Sequence, residues 1–292
     1  MKSSNIGGQA VMEGVMMRNA DKYAVAVRKT DGEIVVKTEE YKGIVQNKKI
    51  RSLPIIRGVF SFIDSMVLGM STLTYSASFF MDEEEEEKDE KKESVMMGLT
   101  IACSVVMAVA IFMILPYFLS QLFRKFTDST TLITLLEGAV RLVIFFGYIL
   151  LISRMKDIQR VFMYHGAEHK CINCIEHGME LNVENVLKSS RLHKRCGTSF
   201  LFIVMIVSII FFLFIRIESP IWRVVFRLLL IPVIAGVSFE FIRLAGKSEN
   251  KLVILLSKPG MMLQKLTTRE PDASMAEVAI ASVEAVFDWR AT

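Results

Sequence analysis

The sequence predicts an α-helical membrane protein with about four transmembrane helices and a cytoplasmic α+β portion, which includes a small N-terminal β-rich subdomain. Three observations support this fold class. Apolar residues make up 52% of the 292-residue chain and are concentrated in blocks. Long stretches with few or no charges recur after residue 94. A β-type alternation around an Asp-Gly pair precedes the first of these stretches.

Four stretches of the chain are long and apolar enough to cross a bilayer as helices. They are residues 95–119, 132–152, 199–215 and 221–242. The first and the third contain no charged residue, whereas the second contains Glu137 and Arg141. These two residues lie one helical turn apart and can form an ion pair. The pair is either part of a site for an ion or a protein partner, or two charges that only neutralise each other inside the helix bundle.

Charge asymmetry predicts the orientation of the spans. Lys and Arg are abundant in residues 153–198 and 243–269, whereas the other two connections carry only Arg124 with Lys125 and Arg216. The positive-inside rule therefore predicts a multi-pass plasma (inner) membrane protein with both termini and the 153–198 loop in the cytoplasm. The net charge of +4 does not indicate a nucleic-acid partner, so the lipid bilayer is the expected partner.

The segment before the first span has the pattern of a β-hairpin. Residues 23–36 alternate in polarity on both sides of Asp31-Gly32, and Asp-Gly tolerates the positive φ angles of a tight hairpin turn. Residues 8–17 are expected to add another strand. Together they predict a small β-rich subdomain within residues 5–50.

Residues 55–80 have a helical apolar period with polar residues recurring along one side. This pattern favours an amphipathic or re-entrant helix at the membrane surface over a fifth span. The segment that follows, residues 82–93, is almost entirely acidic or basic and is expected to be a solvated linker.

These segments predict a division of the chain into seven parts. They are a cytoplasmic β-rich subdomain (1–54), an amphipathic or re-entrant helix (55–81), a charged linker (82–94), a first transmembrane hairpin (95–152), a cytoplasmic His/Cys loop (153–198), a second transmembrane hairpin (199–242) and a cytoplasmic C-terminal segment with a terminal helix (243–292).

The His/Cys loop has the richest chemistry. All four histidines and three of the four cysteines lie within residues 165–196, and these residue types are common metal ligands. His165-x-x-Glu168-His169 matches the H-x-x-E-H pattern, in which two imidazoles one helical turn apart hold zinc and the carboxylate is the general base. Gly166 inside the pattern is expected to weaken the helix. The third ligand would come from the same loop: Glu176, His193 or Cys196.

A second arrangement of ligands fits the same loop. Cys171-x-x-Cys174 with His193-x-x-Cys196 offers four ligands in two pairs, as in a closed structural zinc site. Such a site would hold the loop together without chemistry. The alternative without a metal has hydrogen-bonded histidines and cysteines buried as small apolar side chains.

Four sequence patterns resemble signatures of the YqhQ-like bacterial membrane protein family, and the resemblance covers nearly the whole chain. They are Gly7-Gly8-Gln9-Ala10-Val11-Met12-Glu13-Gly14-Val15-Met16-Met17-Arg18, Tyr164-His165-Gly166-Ala167-Glu168-His169-Lys170, the 191–200 segment and Leu266-Thr267-Thr268-Arg269-Glu270-Pro271. The resemblance implies a predicted metal-dependent enzyme that does not depend on cysteine at 171 and 174. It implies a ligand set drawn from His165, His169, His193 and Cys196, with Glu176 as a further member.

Two functions from different classes are compatible with these observations. The first is a metal-dependent enzyme, a hydrolase with a divalent metal, zinc, in which Glu168 activates water or orients a ligand. Lipid headgroups, lipid-linked metabolites and membrane peptides are all open as substrates. The second is a non-enzymatic scaffold or biogenesis factor that binds a membrane-protein partner, such as the secretion channel.

Overall fold

The computed structural model describes residues 4, 6–80, 90–215, 217, 219–247 and 250–291. These residues are mostly helical and include one small antiparallel sheet near the N-terminus, as the sequence predicted. The chain forms two compact units. Unit 1 comprises Met1–Phe80, Ile152–Val204 and Ala235–Thr292, and unit 2 comprises Met81–Leu151 and Met205–Ile234.

The sheet has four antiparallel strands in the order β1-β2-β3-β4. They are β1 (Gly7–Val11), β2 (Gly14–Asn19), β3 (Lys22–Arg28) and β4 (Ile34–Glu40). The predicted Asp-Gly turn joins β3 to β4, and Gly32 has a φ of +89° there, a conformation that favours glycine. The prediction of a β-rich part near the N-terminus is therefore confirmed.

Eleven α-helices are present among the described residues. They are α1 (Lys48–Ser52), α2 (Ile56–Ala77), α3 (Glu90–Val109), α4 (Leu115–Gln121), α5 (Thr130–Ile152), α6 (Lys156–Glu176), α7 (Val183–Lys188), α8 (Gly197–Phe214), α9 (Pro220–Lys247), α10 (Lys251–Thr267) and α11 (Ala273–Glu284). A π-helical turn, Ala110–Ile114, connects α3 to α4. Residues 82–89 of the predicted charged linker lie outside the described residues, and its last five residues belong to α3.

The sheet of unit 1 is covered on both faces. Side chains alternate between the two faces of a strand, so Val15 and Met17 of β2 face α6 and α11, whereas Met16 faces α2. Asp272 begins α11 by accepting a hydrogen bond from the Met275 backbone N–H at 2.9 Å. These contacts bring the N-terminal, middle and C-terminal thirds of the chain into one core.

Helix α2 packs its polar side against the sheet and exposes its apolar side. Asp64 is buried and accepts hydrogen bonds from the Ile44 N–H at 2.8 Å and the Tyr41 hydroxyl at 3.2 Å. Ser76 accepts one from the Met12 N–H at 3.1 Å. The opposite side of α2 exposes large apolar side chains: Ile63, Met66, Val67, Met70 and Leu73.

Five helical stretches of the described chain are long and apolar enough to cross a membrane. They are Ile56–Phe80, Val95–Lys125, Thr130–Ile152, Gly197–Phe214 and Pro220–Gly246. Four of them correspond to the spans predicted from the sequence, and the fifth is the segment for which a surface helix was favoured. The number of spans, their orientation and the seven-part division stay predictions.

Candidate metal centre

Helix α6 places two histidines side by side. His165 and His169 lie one helical turn apart, and their ring centroids are separated by 4.4 Å. His169 is only 1% exposed, because this half of α6 is packed inside unit 1. Packing in unit 1 holds the two imidazoles in a defined arrangement, with His169 buried and His165 half-buried.

A third donor comes from the residue that precedes α8. The Sγ atom of Cys196 lies 3.2 Å from Nε2 of His165. One ligand atom from each of His165, His169 and Cys196 lies within 4.8 Å of the other two. A nitrogen and a sulfur ligand of tetrahedral zinc lie about 3.6 Å apart, so these three residues, called the triad below, have a spacing close to that of a metal site.

Backbone carbonyl groups orient both imidazole rings. Nδ1 of His165 lies 2.9 Å from the carbonyl oxygen of Thr267, and Nδ1 of His169 lies 2.6 Å from that of Arg191. A carbonyl oxygen only accepts hydrogen bonds, so each Nδ1 carries the proton and each Nε2 presents a lone pair. Nε2 of His169 is buried without a hydrogen-bond partner among the described residues, and a metal ion would satisfy it.

The donors of the triad fit a zinc ion. The Cys196 Sγ atom lies 3.3 Å from both the backbone nitrogen and the hydroxyl oxygen of Thr198, at the start of α8. A backbone N–H at a helix N-terminus is a favourable donor to a thiolate. Two imidazoles and one thiolate are zinc ligands, and three protein ligands leave a fourth position open.

Gly166 allows the C-terminal segment to reach His165. A Cβ atom on Gly166 would lie 2.0 Å from the carbonyl oxygen of Arg269, so a side chain at this position would displace the 267–271 segment. The Arg269 backbone N–H donates a hydrogen bond to the Phe162 carbonyl oxygen at 2.8 Å. Helix α6 runs unbroken through Gly166, and this close approach of the C-terminal segment is what the glycine permits.

Glu168, the predicted general base, faces strand β1. The Gly8 backbone N–H donates a hydrogen bond to its carboxylate, and a Cβ on Gly8 would lie 2.8 Å from Glu168 Cγ. Burial raises the pKa of Glu168 to about 7, against the opposing effects of His165 and of the Gly8 N–H. A buried carboxyl group therefore lies on α6 next to the triad.

A cavity of about 340 Å³ adjoins β1 on the side of α2. Its lining includes Gly8, which contacts Glu168, together with Gln9, Arg18 and Leu68. The three triad residues are not part of this lining. The cavity therefore reaches the neighbour of Glu168 and offers a cationic side chain, Arg18, in the same space.

Glu176 and His193, two of the five predicted ligands, lie outside the triad and pair with each other. Nε2 of His193 lies 3.4 Å from Oε2 of Glu176. Glu176 also accepts hydrogen bonds from Arg195 at 2.5 Å and from the Ser4 backbone N–H at 2.8 Å. Burial acts to raise the pKa of Glu176, but these three donors outweigh burial, and the pKa lies well below its usual value.

A buried glutamine holds the backbone of His193. Gln264 of α10 accepts from the His193 N–H at 2.8 Å and donates to its carbonyl oxygen at 2.7 Å. The same amide nitrogen donates to the Ser199 hydroxyl at 2.8 Å. Gln264 thereby holds the chain on both sides of Cys196, which lies between these two partners.

Cys171 and Cys174 belong to the apolar core of unit 1. Both are fully buried in the cluster between the sheet, α6 and α11, and burial raises the pKa of both thiols. Among the described residues they do not join His193 and Cys196 in a metal-binding cluster. The four-ligand zinc ribbon considered from spacing is therefore not formed.

The spacing of residues did not reveal the groups that hold the two imidazoles and the segment around Cys196. Thr267, Arg191 and Gln264 act through backbone carbonyls or a buried amide, and such contacts leave no signal in residue spacing. The family resemblance supplied the only signal, because the 191–200 and 266–271 signatures include Arg191 and Thr267.

Helices able to cross a membrane, together with a buried His/Cys triad, define a class of membrane-associated protein with a candidate metal site. The chain belongs to the family described as "Protein of unknown function (DUF1385)", whose model matches residues 53–289. It is 37% identical over 287 residues to "Uncharacterized protein YqhQ" of Bacillus subtilis (strain 168), covering 94% of this chain and 90% of that protein. No solved structure matches the chain. The resemblance to the YqhQ-like family is confirmed.

Proposed function

We propose that this protein is a membrane-bound, zinc-dependent hydrolase whose metal is held at the cytoplasmic face by His165, His169 and Cys196. The observation that carries the proposal is the convergence of three donor atoms with both imidazole tautomers determined by carbonyl groups. Of the five ligands predicted from sequence, Glu176 and His193 become supporting residues in this proposal. They hold the segment that carries Cys196.

The proposed chemistry assigns one role to the metal and one to the chain. A zinc ion held by His165, His169 and Cys196 would supply Lewis acidity. Glu168 would accept a proton from the attacking water, since its buried carboxyl group lies close enough to His165 for the two to interact electrostatically.

Metal content tests the ligand assignment directly. Elemental mass spectrometry of protein purified without chelator should find close to one zinc per chain. His165→Ala, His169→Ala and Cys196→Ser should each lose it, whereas Cys171→Ser, a matched change of a core thiol, should retain it. Wild-type protein without metal, or retention in all three triad variants, would refute the proposal.

The role of Glu168 needs a variant that keeps the metal. Glu168→Gln should retain zinc, since it removes charge but little volume, and should lower hydrolysis of p-nitrophenyl acetate or bis(p-nitrophenyl) phosphate by roughly 10²–10⁴-fold. Full activity in a zinc-loaded Glu168→Gln protein would exclude Glu168 as the base. If the zinc-loaded wild type hydrolyses neither probe, the hydrolase assignment fails while the metal site stands.

The topology proposed here has four spans and both termini in the cytoplasm. The sheet, α6 and α11 pack together in unit 1, so all three lie on the same side of the membrane. An even number of crossings must therefore separate β4 from α6. If α3 and α5 are these two crossings, α2 does not cross the membrane. The contacts of α2 with β1 and β3, and its exposed apolar side, support a position for α2 in the membrane interface.

Labelling of single cysteines with a membrane-impermeant maleimide tests this topology. In a background with the exposed Cys103 changed to Ser, Lys37→Cys in β4 and Lys188→Cys in α7 should react only after the cells are permeabilised. Asp128→Cys, between α4 and α5, should react in intact cells. Reaction of Lys37→Cys from outside intact cells would contradict the four-span topology.

The scaffold remains the second candidate because of the exposed apolar side of α2. In that function the same zinc would stabilise unit 1, and a membrane-protein partner such as the secretion channel would bind nearby. A zinc-loaded protein without hydrolytic activity, which loses a co-purifying membrane partner in a Met66→Gln variant, would favour the scaffold over the enzyme.

A further inference from the structure

One carboxylate in unit 2 is shared by two arginines. Arg227 of α9 donates from Nη1 and Nη2 to the two oxygens of Glu137 at 2.6 and 2.8 Å. Arg141 donates from Nη2 to Glu137 at 2.9 Å. Glu137, Arg141 and Arg227 are 2%, 4% and 3% exposed. The sequence predicted the Glu137–Arg141 pair, and the structure adds a second guanidinium to it.

The other partners of the two guanidiniums are uncharged. Arg141 donates to the Phe112 carbonyl oxygen at 2.9 Å and to the Ser208 hydroxyl at 3.0 Å. Phe112 lies in the π-helical turn, a feature that is frequent at functional sites. Phe212 lies 4.9 Å from the Arg141 guanidinium and 4.7 Å from that of Arg227. Within these contacts of the described residues, two positive charges face one negative charge.

One donor of this cluster has no hydrogen-bond partner among the residues that the structure describes. Nε of Arg227 is buried and makes no hydrogen bond to any described residue. An unpaired donor on a buried cation is costly, because the protein interior solvates charge poorly. The cluster carries one more positive than negative charge, and its unused N–H is on Arg227, so a single anion beside that N–H would satisfy both.

A third guanidinium lies between this cluster and the start of α9. Arg223 is one helical turn before Arg227, and both guanidiniums approach the ring of Tyr117, at 5.7 and 5.4 Å. Arg223 is half-buried, whereas Arg227 is buried. Successive cationic groups of this kind favour the entry of an anion from the aqueous end of a helix.

We propose that Arg141 and Arg227 form a binding site for one small monovalent inorganic anion, such as chloride, within unit 2. One negative charge balances the excess positive charge of the cluster, and the free Nε–H of Arg227 donates to the anion. A strongly hydrated dianion is disfavoured, because its dehydration costs more and it would overcompensate the charge. This site is independent of the proposed zinc centre.

Anion-dependent thermal unfolding tests the site in the full-length protein in detergent. At constant ionic strength, replacing gluconate by chloride, bromide or nitrate should raise the Tm in a saturable manner, by a few degrees at about 100 times the dissociation constant. Equal Tm values in gluconate and in all three small anions would overturn the proposal without any variant.

Two variants that change the charge of the cluster complete the test. Arg141→Met leaves Glu137 paired with Arg227 and the cluster neutral, so the anion-dependent shift should be lost. Glu137→Gln raises the excess positive charge of the cluster, so the shift in Tm should saturate at a lower anion concentration.

Arg124→Met is the control: it removes an exposed guanidinium of the same unit and should show the same anion-dependent shift as the wild type. An unchanged shift in Arg141→Met, or its loss in Arg124→Met, would refute the assignment; if Arg141→Met does not fold, the wild-type and Glu137→Gln titrations decide.

Discussion

The carbonyl oxygen of Arg269 occupies the space where a side chain on Gly166 would begin, 2.0 Å from its Cβ position. Through this contact the segment at the end of α10, residues 267–271, lies directly on α6. Two residues earlier in that segment, the Thr267 carbonyl oxygen accepts from Nδ1 of His165. Residues about 100 positions apart in the chain thereby determine which nitrogen of His165 faces Cys196.

Replacing Gly166 should disturb both the fold of unit 1 and the metal site. In Gly166→Ala the 267–271 segment must move away from α6, and such overpacking costs about 1–3 kcal/mol of unfolding free energy. We expect a lower Tm and a reduced zinc content by elemental mass spectrometry. Gly147→Ala, at a helical glycine of α5 with open space around it, is the matched control and should behave as the wild type.

Removing the Gln264 amide should destabilise the segment around Cys196. Gln264→Met keeps the approximate volume but leaves the His193 N–H and carbonyl without partners, and each buried unsatisfied group costs about 1–3 kcal/mol. Thermal unfolding should show a clear loss, whereas Gln46→Met, at an exposed glutamine, should be nearly neutral. A Tm equal to that of the wild type would show that these buried bonds are dispensable.

Glu176 should make the stability of the metal-free protein dependent on pH in the acid range. Its folded-state pKa lies below the unfolded value, so its contribution is fully present above the ordinary carboxyl pKa and is lost as the pH falls through the folded value. The charged groups that face Glu176 are Arg195 and, when protonated, His193.

We therefore expect the Tm of chelator-treated protein to fall as the pH is lowered below about 4.5. The Tm should fall less steeply in Glu176→Gln, which has no carboxylate to protonate. Glu180→Gln, at an exposed carboxylate before α7, should retain the wild-type slope. Parallel slopes for wild type and Glu176→Gln would contradict this assignment.

The N-terminus of α11 offers a test of how unit 1 is held together. Asp272→Ala removes the acceptor for the Met275 N–H and should cost about 1 kcal/mol, typical of a lost helix cap. Asp272→Ser, which provides a different capping oxygen, should recover most of the Tm. If Asp272→Ser has the same lowered Tm as Asp272→Ala, the loss of stability does not come from the missing helix cap.

Much of the fold could be predicted from local patterns in the chain. The Asp31-Gly32 turn, the β-type alternation around it and the uncharged 95–119 stretch depend on neighbouring residues, so their structures follow from sequence. The amphipathic character of residues 55–80 was also visible. The sequence alone also placed His165 and His169 on one face of a helix, since a four-residue spacing is one helical turn.

Tertiary structure decided which residues join those two histidines. Cys196, Glu176 and His193 were equivalent candidates by spacing, and only the approach of the segment before α8 brings Cys196 to His165 while Glu176 and His193 pair. In the same way, spacing within α5 predicted the Glu137–Arg141 pair but not the second guanidinium, which comes from α9. The reason is physical: contacts within one helix depend on its period, whereas contacts between distant segments depend on how the whole unit buries its apolar surface.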